Sequence, residues 1–397
     1  MGKKVFPTSL PSVASPANVD DISHLRRQPK YRIFLHGFER GFLWNICSET
    51  ILLPNNVSIQ MLDLFSETFR RRMICDTSVS FPIRLPVDES PTKSDFPTRI
   101  PVGNSPTNFD THPYVRFFVN MLLYSNIGSR GFVFTDEIQE ANVLIESVFS
   151  YYSLRTYKQW ELSFFFSYKL VLETPEEMVN YFSKYTAIIS PFGYEHPACA
   201  SIMPFVACCP TWKSIRNQPT ISRIPPKFCC CIVSNGSFYC RNRIFTELSK
   251  YKSVDSLGMF QNNVGRRLSH KVGSMDYINA LSQYKFVLCF ERAVEGTYIT
   301  DKIIHVFQSR SIPVYFGASI HKRIFNPNAY VYLEKDSTVE YESIVRRIVY
   351  LDKHDSRYLE MVNQPAFHDL DIIDELTEQY GEKAVADQIR ETISRVS

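Results

Sequence analysis

The sequence carries almost no net charge and no long apolar run. Its 44 Lys and Arg residues nearly balance 41 Asp and Glu residues, so that the formal net charge is +3. So small a charge gives no support for a nucleic-acid partner or a polyanionic surface. No stretch approaches the roughly 18 to 20 apolar residues of a membrane span, and the N-terminal segment lacks an apolar core of signal-peptide length. We therefore predict a chain without a signal peptide or a membrane anchor.

The ten cysteines lack the spacing of a disulfide framework or of a zinc site. Cys229, Cys230 and Cys231 are consecutive in an apolar run, and Cys208 and Cys209 are adjacent. Neighbouring residues of a strand point to opposite faces and cannot easily share a bridge. We therefore expect reduced, buried thiols and no structural metal.

Length and composition predict two domains, because 397 residues with 44% apolar content can bury more than one core. The predicted division is a loose N-terminal segment at 1–29, a first domain at 30–215, a linker at 216–227, a second domain at 228–365 and a C-terminal helix at 366–397.

The stretch from Tyr284 to Gly317 predicts a strand, a polar loop, a helix and a second strand. Residues 286–290 form an apolar run of buried-strand length, and the apolar residues from 303 onward have helical spacing. Pro313 ends the helix before a second short strand. Such crossovers build parallel sheets, which bind ligands at the carboxyl ends of their strands.

Lys302 is the candidate anion-binding residue of this stretch. If Thr297 or Thr300 caps the helix, Lys302 lies in its first turn, where a cation costs some tenths of a kcal/mol, up to about 1. An anion bound at the helix N-terminus would neutralise both the lysine and the free N–H groups. The alternative is that Lys302 pairs with Asp301 or Glu295 on the surface.

The same stretch resembles the donor-binding signature of the family 10 glycosyltransferases, the α-1,3/1,4-fucosyltransferases. The matching segments are Phe290-Glu291, Tyr298-Ile299-Thr300-Asp301-Lys302, Ile312-Pro313-Val314-Tyr315-Phe316-Gly317 and Phe325-Asn326-Pro327. Upstream, Cys231-Ile232-Val233-Ser234-Asn235, Arg241 and Val254-Asp255-Ser256 are similar to a second part of the family pattern. The resemblance covers residues 227–363 and, more weakly, 114–204.

This resemblance implies an α/β fold of the GT-B kind, in which the parallel sheets of two Rossmann-like domains face a central cleft. It implies an inverting transfer of fucose from GDP-fucose, bound by the second domain, to a hydroxyl of a glycan acceptor, bound by the first. The chain resembles the soluble bacterial or viral members, which implies the cytoplasm of a bacterium or of an infected host cell.

The resemblance also implies roles for individual residues. Arg241 and Lys302 would hold the nucleotide diphosphate, and Tyr298 and Asp301 would contact the nucleoside or the transferred sugar. The other expected donor-site residues are Ser234, Asn235, Glu291, Arg292 and Thr300. Because two cations can take the place of a metal and the donor loop has no Asp-x-Asp, we expect no essential metal and no cofactor.

Two residues depart from the family pattern. Arg292 stands where the family has Asn, and Asp301 stands where it has Glu. The first change adds a cation beside the donor, so another GDP-deoxyhexose such as GDP-rhamnose is an alternative to GDP-fucose.

Glu173 is the candidate catalytic base. It follows the aromatic strand predicted at 163–172, at the place where the family carries a glutamate between Gly and Asn. Those neighbours are Leu172 and Thr174 here. The alternative places Glu173 with Glu176 and Glu177 in the acidic first turn of a helix.

A proline-rich insertion at about 54–111 departs from the family. Residues 57–72 have apolar side chains at helical spacing, which predicts one amphipathic helix. FPIRLPVDESPTKSD at 81–95 is then followed at once by its near copy at 96–110. Prolines at this density indicate an extended loop, either a surface insertion that grew by duplication or an arm that grips the acceptor.

Two further questions stay open. The first is whether the C-terminal helix packs on the first domain or forms a homodimer. The second is whether the chain is a transferase, a catalytically inactive relative that binds glycan or nucleotide, or a nucleotide-sugar hydrolase or sensor.

Overall fold

A computed structural model gives the structure of residues 29–36, 38, 50–52, 58–60, 114–135, 137–147, 154–168, 185–192, 196, 198–234, 236, 238–335 and 337–396. The duplicated repeat at 81–110 and the predicted site residues Glu173 and Asn235 lie outside the described residues, as does nearly all of the segment at 1–29.

The first domain is built on a parallel sheet. Its elements are β1 (Tyr31–His36), β2 (Thr50–Leu52), β3 (Ser58–Gln60), α1 (Val115–Tyr124), α2 (Asn126–Ser129), β4 (Phe132–Phe134), β5 (Val143–Ser147), β6 (Leu162–Phe166), β7 (Ala187–Ser190) and β8 (Cys199–Ser201). Six of the strands are neighbours in the order β4-β1-β5-β6-β7-β8. Strands β5 and β6 are buried along their whole length, as is typical of a parallel sheet covered on both faces.

Strands β2 and β3 pair in an antiparallel hairpin, with Ile51 opposite Ile59. The prediction of one helix across 57–72 is therefore wrong for residues 58–60. A short apolar set cannot be assigned to helix or strand by spacing alone, and pairing with residues 50–52 decides it here.

The second domain is also built on a parallel sheet. Its elements are α3 (Pro204–Cys208), a 3-10 turn (Trp212–Arg216), β9 (Lys227–Cys231), α4 (Tyr239–Ser249), β10 (Val254–Ser256), α5 (Met275–Leu281), β11 (Tyr284–Phe290), α6 (Asp301–Gln308), β12 (Ile312–Phe316), α7 (His321–Ile324), β13 (Val331–Tyr332), α8 (Thr338–Lys353), α9 (Asp355–Val362) and α10 (Ile372–Tyr380). The strand order is β10-β9-β11-β12-β13. Two parallel sheets with helices on their faces confirm the predicted α/β architecture.

The consecutive cysteines of β9 alternate between the two faces of this sheet. Cys229 and Cys231 belong to one apolar core, whereas Cys230 belongs to the other. In the described part of the chain, Cys208, Cys209, Cys229, Cys230, Cys231 and Cys289 are buried free thiols, as predicted. Burial holds the pKa of Cys229 and Cys230 well above the usual thiol value, so neither is a ready nucleophile.

The apolar residues just after β8 belong to the cores of both domains. Ile202 and Cys208 are buried in the core of the first domain, whereas Met203 and Phe205 are buried in a core of the second. Trp212 and Ile215 also pack in that second core. The linker at 216–227 stays a prediction.

The segment predicted as one C-terminal helix forms two helices, α10 and α11 (Glu382–Val396). Helix α11 returns to the first domain, where Ile389 and Ile393 join its core. The side-chain amide of Asn120 donates a hydrogen bond to Glu382 at 2.9 Å. This arrangement agrees with packing on the first domain, and it buries the apolar face that a homodimer would use. In the part of the chain that the structure describes, no helix is both long and apolar enough to span a bilayer.

Candidate functional site

The connections of the second sheet change direction between β9 and β11, since from β9 the chain continues to β10 on one side and later to β11 on the other side. The residues that follow β9 (described at 232–234, 236 and 238) and the loop that follows β11 (291–300) therefore lie at the same carboxyl edge of the sheet. We call the space at this edge the crevice. In doubly wound folds this is where ligands bind.

Glu291 organises the loop after β11, although none of its surface is exposed. Its Oε1 accepts hydrogen bonds from the Thr300 N–H at 2.7 Å and from the Thr300 hydroxyl at 2.8 Å. Its Oε2 pairs with the Lys302 ammonium at 2.7 Å. One carboxylate thus closes the loop from its first residue to the first turn of α6.

Thr300 is the N-cap of α6, one of the two residues predicted for that role. Its hydroxyl accepts from the Lys302 N–H at 3.4 Å and from the Lys302 ammonium at 3.0 Å. Lys302 pairs with Glu291, and neither of the predicted surface partners, Asp301 and Glu295, is its carboxylate partner at 2.7 Å. The lysine ammonium has three N–H groups. Glu291 and Thr300 take two of them, so one remains for a ligand.

Lys302 is held in its charged form. Burial is the largest single influence and lowers its pKa, but the Glu291 carboxylate, Tyr298 and Asp301 together outweigh burial, so the pKa lies above the usual lysine value. The side chain is nevertheless 42% exposed. A permanent cation therefore faces the crevice at the N-terminus of α6, where N–H groups also point outward.

Arg241 provides a second cation in the first turn of α4. It is buried, and its guanidinium lies 5.9 Å and 5.7 Å from the ring centroids of Phe238 and Phe260. Burial lowers its pKa, the Cys231 thiol opposes this, and the charge of Arg292 lowers the pKa further. The charge of the exposed Arg292 thus acts on the buried Arg241, and a bound anion would relieve the repulsion between these like charges.

Tyr298 and Asp301 lie on either side of Thr300. The Tyr298 ring is buried and stacks on Phe192 of the first domain, with 5.2 Å between ring centroids. Asp301 is partly exposed, with its Oδ2 3.7 Å from Nδ1 of His305. The structure therefore brings Arg241, Arg292, Tyr298, Thr300, Asp301 and Lys302 to one crevice, and it places Ser234 exposed on the loop after β9.

The contribution of the first domain to this crevice was not predicted. Phe192 follows β7. Burial raises the pKa of Tyr114, and the nearby groups Cys208, Tyr298 and Asp301 raise it further. The available signal was the position of Phe192 just after the apolar residues 187–189 and Pro191, since parallel sheets bind ligands at the carboxyl ends of their strands.

No metal centre is evident in the described part of the chain, where no three His, Cys, Asp or Glu side chains group as ligands. The charged groups of the crevice are instead cations and the carboxylates of Glu291 and Asp301. Such a crevice suits a polyanionic ligand directly.

Comparison with known sequences matches residues 225–380 to the C-terminal part of glycosyltransferase family 10 (fucosyltransferase). An alpha-(1,3)-fucosyltransferase of Helicobacter pylori is 31% identical over 144 residues, which are 36% of this chain and 28% of that protein. GDP-fucose protein O-fucosyltransferase 3 of Danio rerio is 31% identical over 148 residues, which are 35% of this chain and 32% of that protein. The aligned part of this chain thus spans less than a third of either relative.

A solved structure of an alpha1,3-fucosyltransferase with GDP-fucose has the same overall architecture. It superposes with a TM-score of 0.51 at 20% identity, over 70% of this chain and 85% of that chain. Identity this low shows the fold alone. The comparison confirms the predicted GT-B-like fold.

Proposed function

We propose that this chain transfers fucose from GDP-fucose to a hydroxyl of a glycan acceptor, with inversion at the anomeric carbon, because residues 225–380 match the C-terminal part of glycosyltransferase family 10. The observation that carries the proposal is the Glu291–Thr300–Lys302 cluster. It fixes a permanent cation at a helix N-terminus, at the switch point of the second sheet.

The diphosphate would bind between Arg241 and Lys302. Breaking the bond between the sugar and the diphosphate leaves GDP with additional negative charge. Cations that are already in place stabilise that charge as it develops, without reorganisation during the reaction. Arg241 can contact phosphate with two N–H groups, whereas Lys302 acts as a point charge with its remaining N–H. These two cations would make a bound metal unnecessary.

The sugar and nucleoside would lie against Tyr298, Asp301 and Arg292. Asp301 has a partly exposed carboxylate beside Lys302, suited to accept hydrogen bonds from sugar hydroxyls. Arg292 adds an exposed positive charge at the same edge. This extra cation leaves another GDP-deoxyhexose as the alternative donor.

Glu173 would act as the general base. The acceptor oxygen forms a bond to the anomeric carbon while the bond from that carbon to the phosphate oxygen breaks. The acceptor proton passes to the carboxylate, and GDP leaves with the bonding electron pair. Attack from the face opposite to the leaving group inverts the anomeric centre.

Replacement of Glu173 by Gln tests this role. General-base catalysis contributes about 100- to 10,000-fold, so we expect Glu173→Gln to lower kcat by at least about 100-fold and to leave the affinity for GDP unchanged. Release of GDP from GDP-fucose in the presence of acceptor measures turnover, and calorimetric titration measures affinity.

Glu177→Gln is the matched control, because it removes a neighbouring acid that a helix N-terminus would explain. It should retain full turnover. Full turnover in Glu173→Gln would exclude Glu173 as the base. Donor cleavage that no glycan accelerates would favour a hydrolase, and GDP binding without any turnover would favour an inactive relative. Turnover with a protein hydroxyl in place of a glycan would change the acceptor class.

A further inference from the structure

The donor loop, residues 291–300, is fastened to both domains. Glu291 closes it within the second domain, as described above. Midway along the loop, the Thr297 N–H donates a hydrogen bond to the Pro191 carbonyl at 2.8 Å. Pro191 directly follows β7 of the first domain, so the loop is tied across the crevice.

The Thr297 side chain strengthens this tie. Its Oγ1 lies 2.7 Å from the Ile202 carbonyl oxygen and 3.0 Å from the Pro191 carbonyl oxygen. A hydroxyl has one proton to donate, so the shorter contact with Ile202 takes it. Ser201 Oγ lies 3.3 Å from Thr297 Oγ1 and can donate to it. Thr297 therefore joins the ends of both β7 and β8 while it is buried.

Loop residues on either side of Thr297 also contact the first domain. Tyr298 stacks on Phe192, and Ala293 completes a small buried apolar cluster with these two rings. Thr297 and Tyr298 are thus held by residues 191–192 and 201–202 of the first domain. The next residue, Ile299, is held within the second domain, where its carbonyl accepts a hydrogen bond from the Phe205 N–H at 2.9 Å.

From this geometry we propose that Thr297 is a positioning residue, which sets the donor loop by tying it to the first domain. The tie acts on Tyr298 through the next peptide bond and on Lys302 through the Thr300 cap. Donor affinity then depends on the placement of the first domain, although Thr297 itself contacts no donor. The link to donor affinity rests on the proposed function, whereas the tie itself does not.

Thr297→Val in the full chain tests the proposal, because valine keeps the shape of threonine and loses the hydroxyl. The loss leaves the Ile202 carbonyl without its donor in a buried place. We expect amides of residues 291–302 to exchange with deuterium about tenfold faster in the ligand-free protein, and the Kd for GDP to rise about tenfold. Thr297→Ser keeps the hydroxyl and should restore both values to within about twofold.

Ser311→Ala is the matched control. The Ser311 hydroxyl is equally buried between two main-chain carbonyls, those of Tyr284 at 2.7 Å and Leu281 at 3.1 Å. It lies beyond the far end of α6. Its loss should lower the melting temperature, as the loss at Thr297 does, but it should leave loop exchange and GDP affinity unchanged.

Phe192→Leu gives a second approach if Thr297→Val fails to fold. It removes the ring stacked on Tyr298 and should also speed loop exchange and weaken GDP binding. If the amides of residues 291–302 exchange no faster in either variant than in Ser311→Ala, the proposal is overturned. If the unaltered protein does not bind GDP, the proposed function fails, and the exchange comparison alone still decides the tie.

Discussion

Replacing Lys302 by alanine is expected to reduce GDP affinity by at least about 100-fold, since it removes the charge that faces the crevice and one hydrogen bond to phosphate. The variant should also be less stable, because the buried Glu291 carboxylate loses its counterion. Lys302 is 42% exposed, so solvent screens the pair and the expected cost is about 2 kcal/mol, below that of a fully buried pair. Calorimetric titration with GDP and urea unfolding measure the two effects.

Lys252→Ala separates binding from stability. Lys252 is likewise half-exposed and pairs with a buried carboxylate, that of Asp352, at 2.8 Å. It lies just before β10, at the amino ends of the strands, whereas the crevice lies at their carboxyl ends. Its loss should lower stability and leave the Kd for GDP unchanged. GDP affinity that Lys302→Ala leaves within about threefold of the original would contradict the assignment of the diphosphate to this lysine.

Replacing Glu291 by alanine should cause the largest loss of stability. The change removes one acceptor that serves the Thr300 N–H, the Thr300 hydroxyl and the Lys302 ammonium. The screened ion pair accounts for about 2 kcal/mol, and the Thr300 N–H that loses its acceptor adds about 1–3 kcal/mol. We therefore expect the free energy of unfolding to fall by about 3–5 kcal/mol. Glu334→Ala breaks a salt bridge of similar length between exposed side chains, at 2.8 Å to Lys322, and should cost less than about 1 kcal/mol.

The pKa of Lys302 determines how the stability lost in Glu291→Ala depends on pH. Its pKa is raised in the folded protein above the ordinary lysine value of 10.5, so its contribution is fully present below the unfolded pKa and is lost as the pH rises through the folded pKa. The difference in stability between the original protein and Glu291→Ala should therefore be constant from about pH 6 to 9 and should shrink only at more alkaline pH. A difference that changes steeply within that range would show that another group sets it.

Local chemistry explains why the second domain could be predicted so closely. The apolar run at 286–290, the Thr300 cap and Pro313 specify a strand, a helix start and a helix end by short-range rules, and the structure has β11, α6 and β12 there. The partner of Lys302 could not be read in this way. Sequence neighbours suggested Asp301 or Glu295, whereas the folded loop brings Glu291, eleven residues away, within 2.7 Å.

Features that depend on long-range packing were missed. Trp212 and Ile215 precede the linker that the prolines at 225–226 predict, yet they pack in the second core. The tie between Thr297 and Pro191 arises only when the carboxyl edges of two sheets face each other. No local sequence pattern in either segment predicts this contact.

Titration of the unaltered protein with GDP and with UDP, each with and without a metal chelator, tests the central claim most directly. The cation pair of Arg241 and Lys302 predicts GDP binding that is unaffected by the chelator, and the family predicts a preference for GDP over UDP. Absence of GDP binding, or tighter binding of UDP, would contradict the proposed donor. GDP binding that the chelator abolishes would contradict the role given to the two cations.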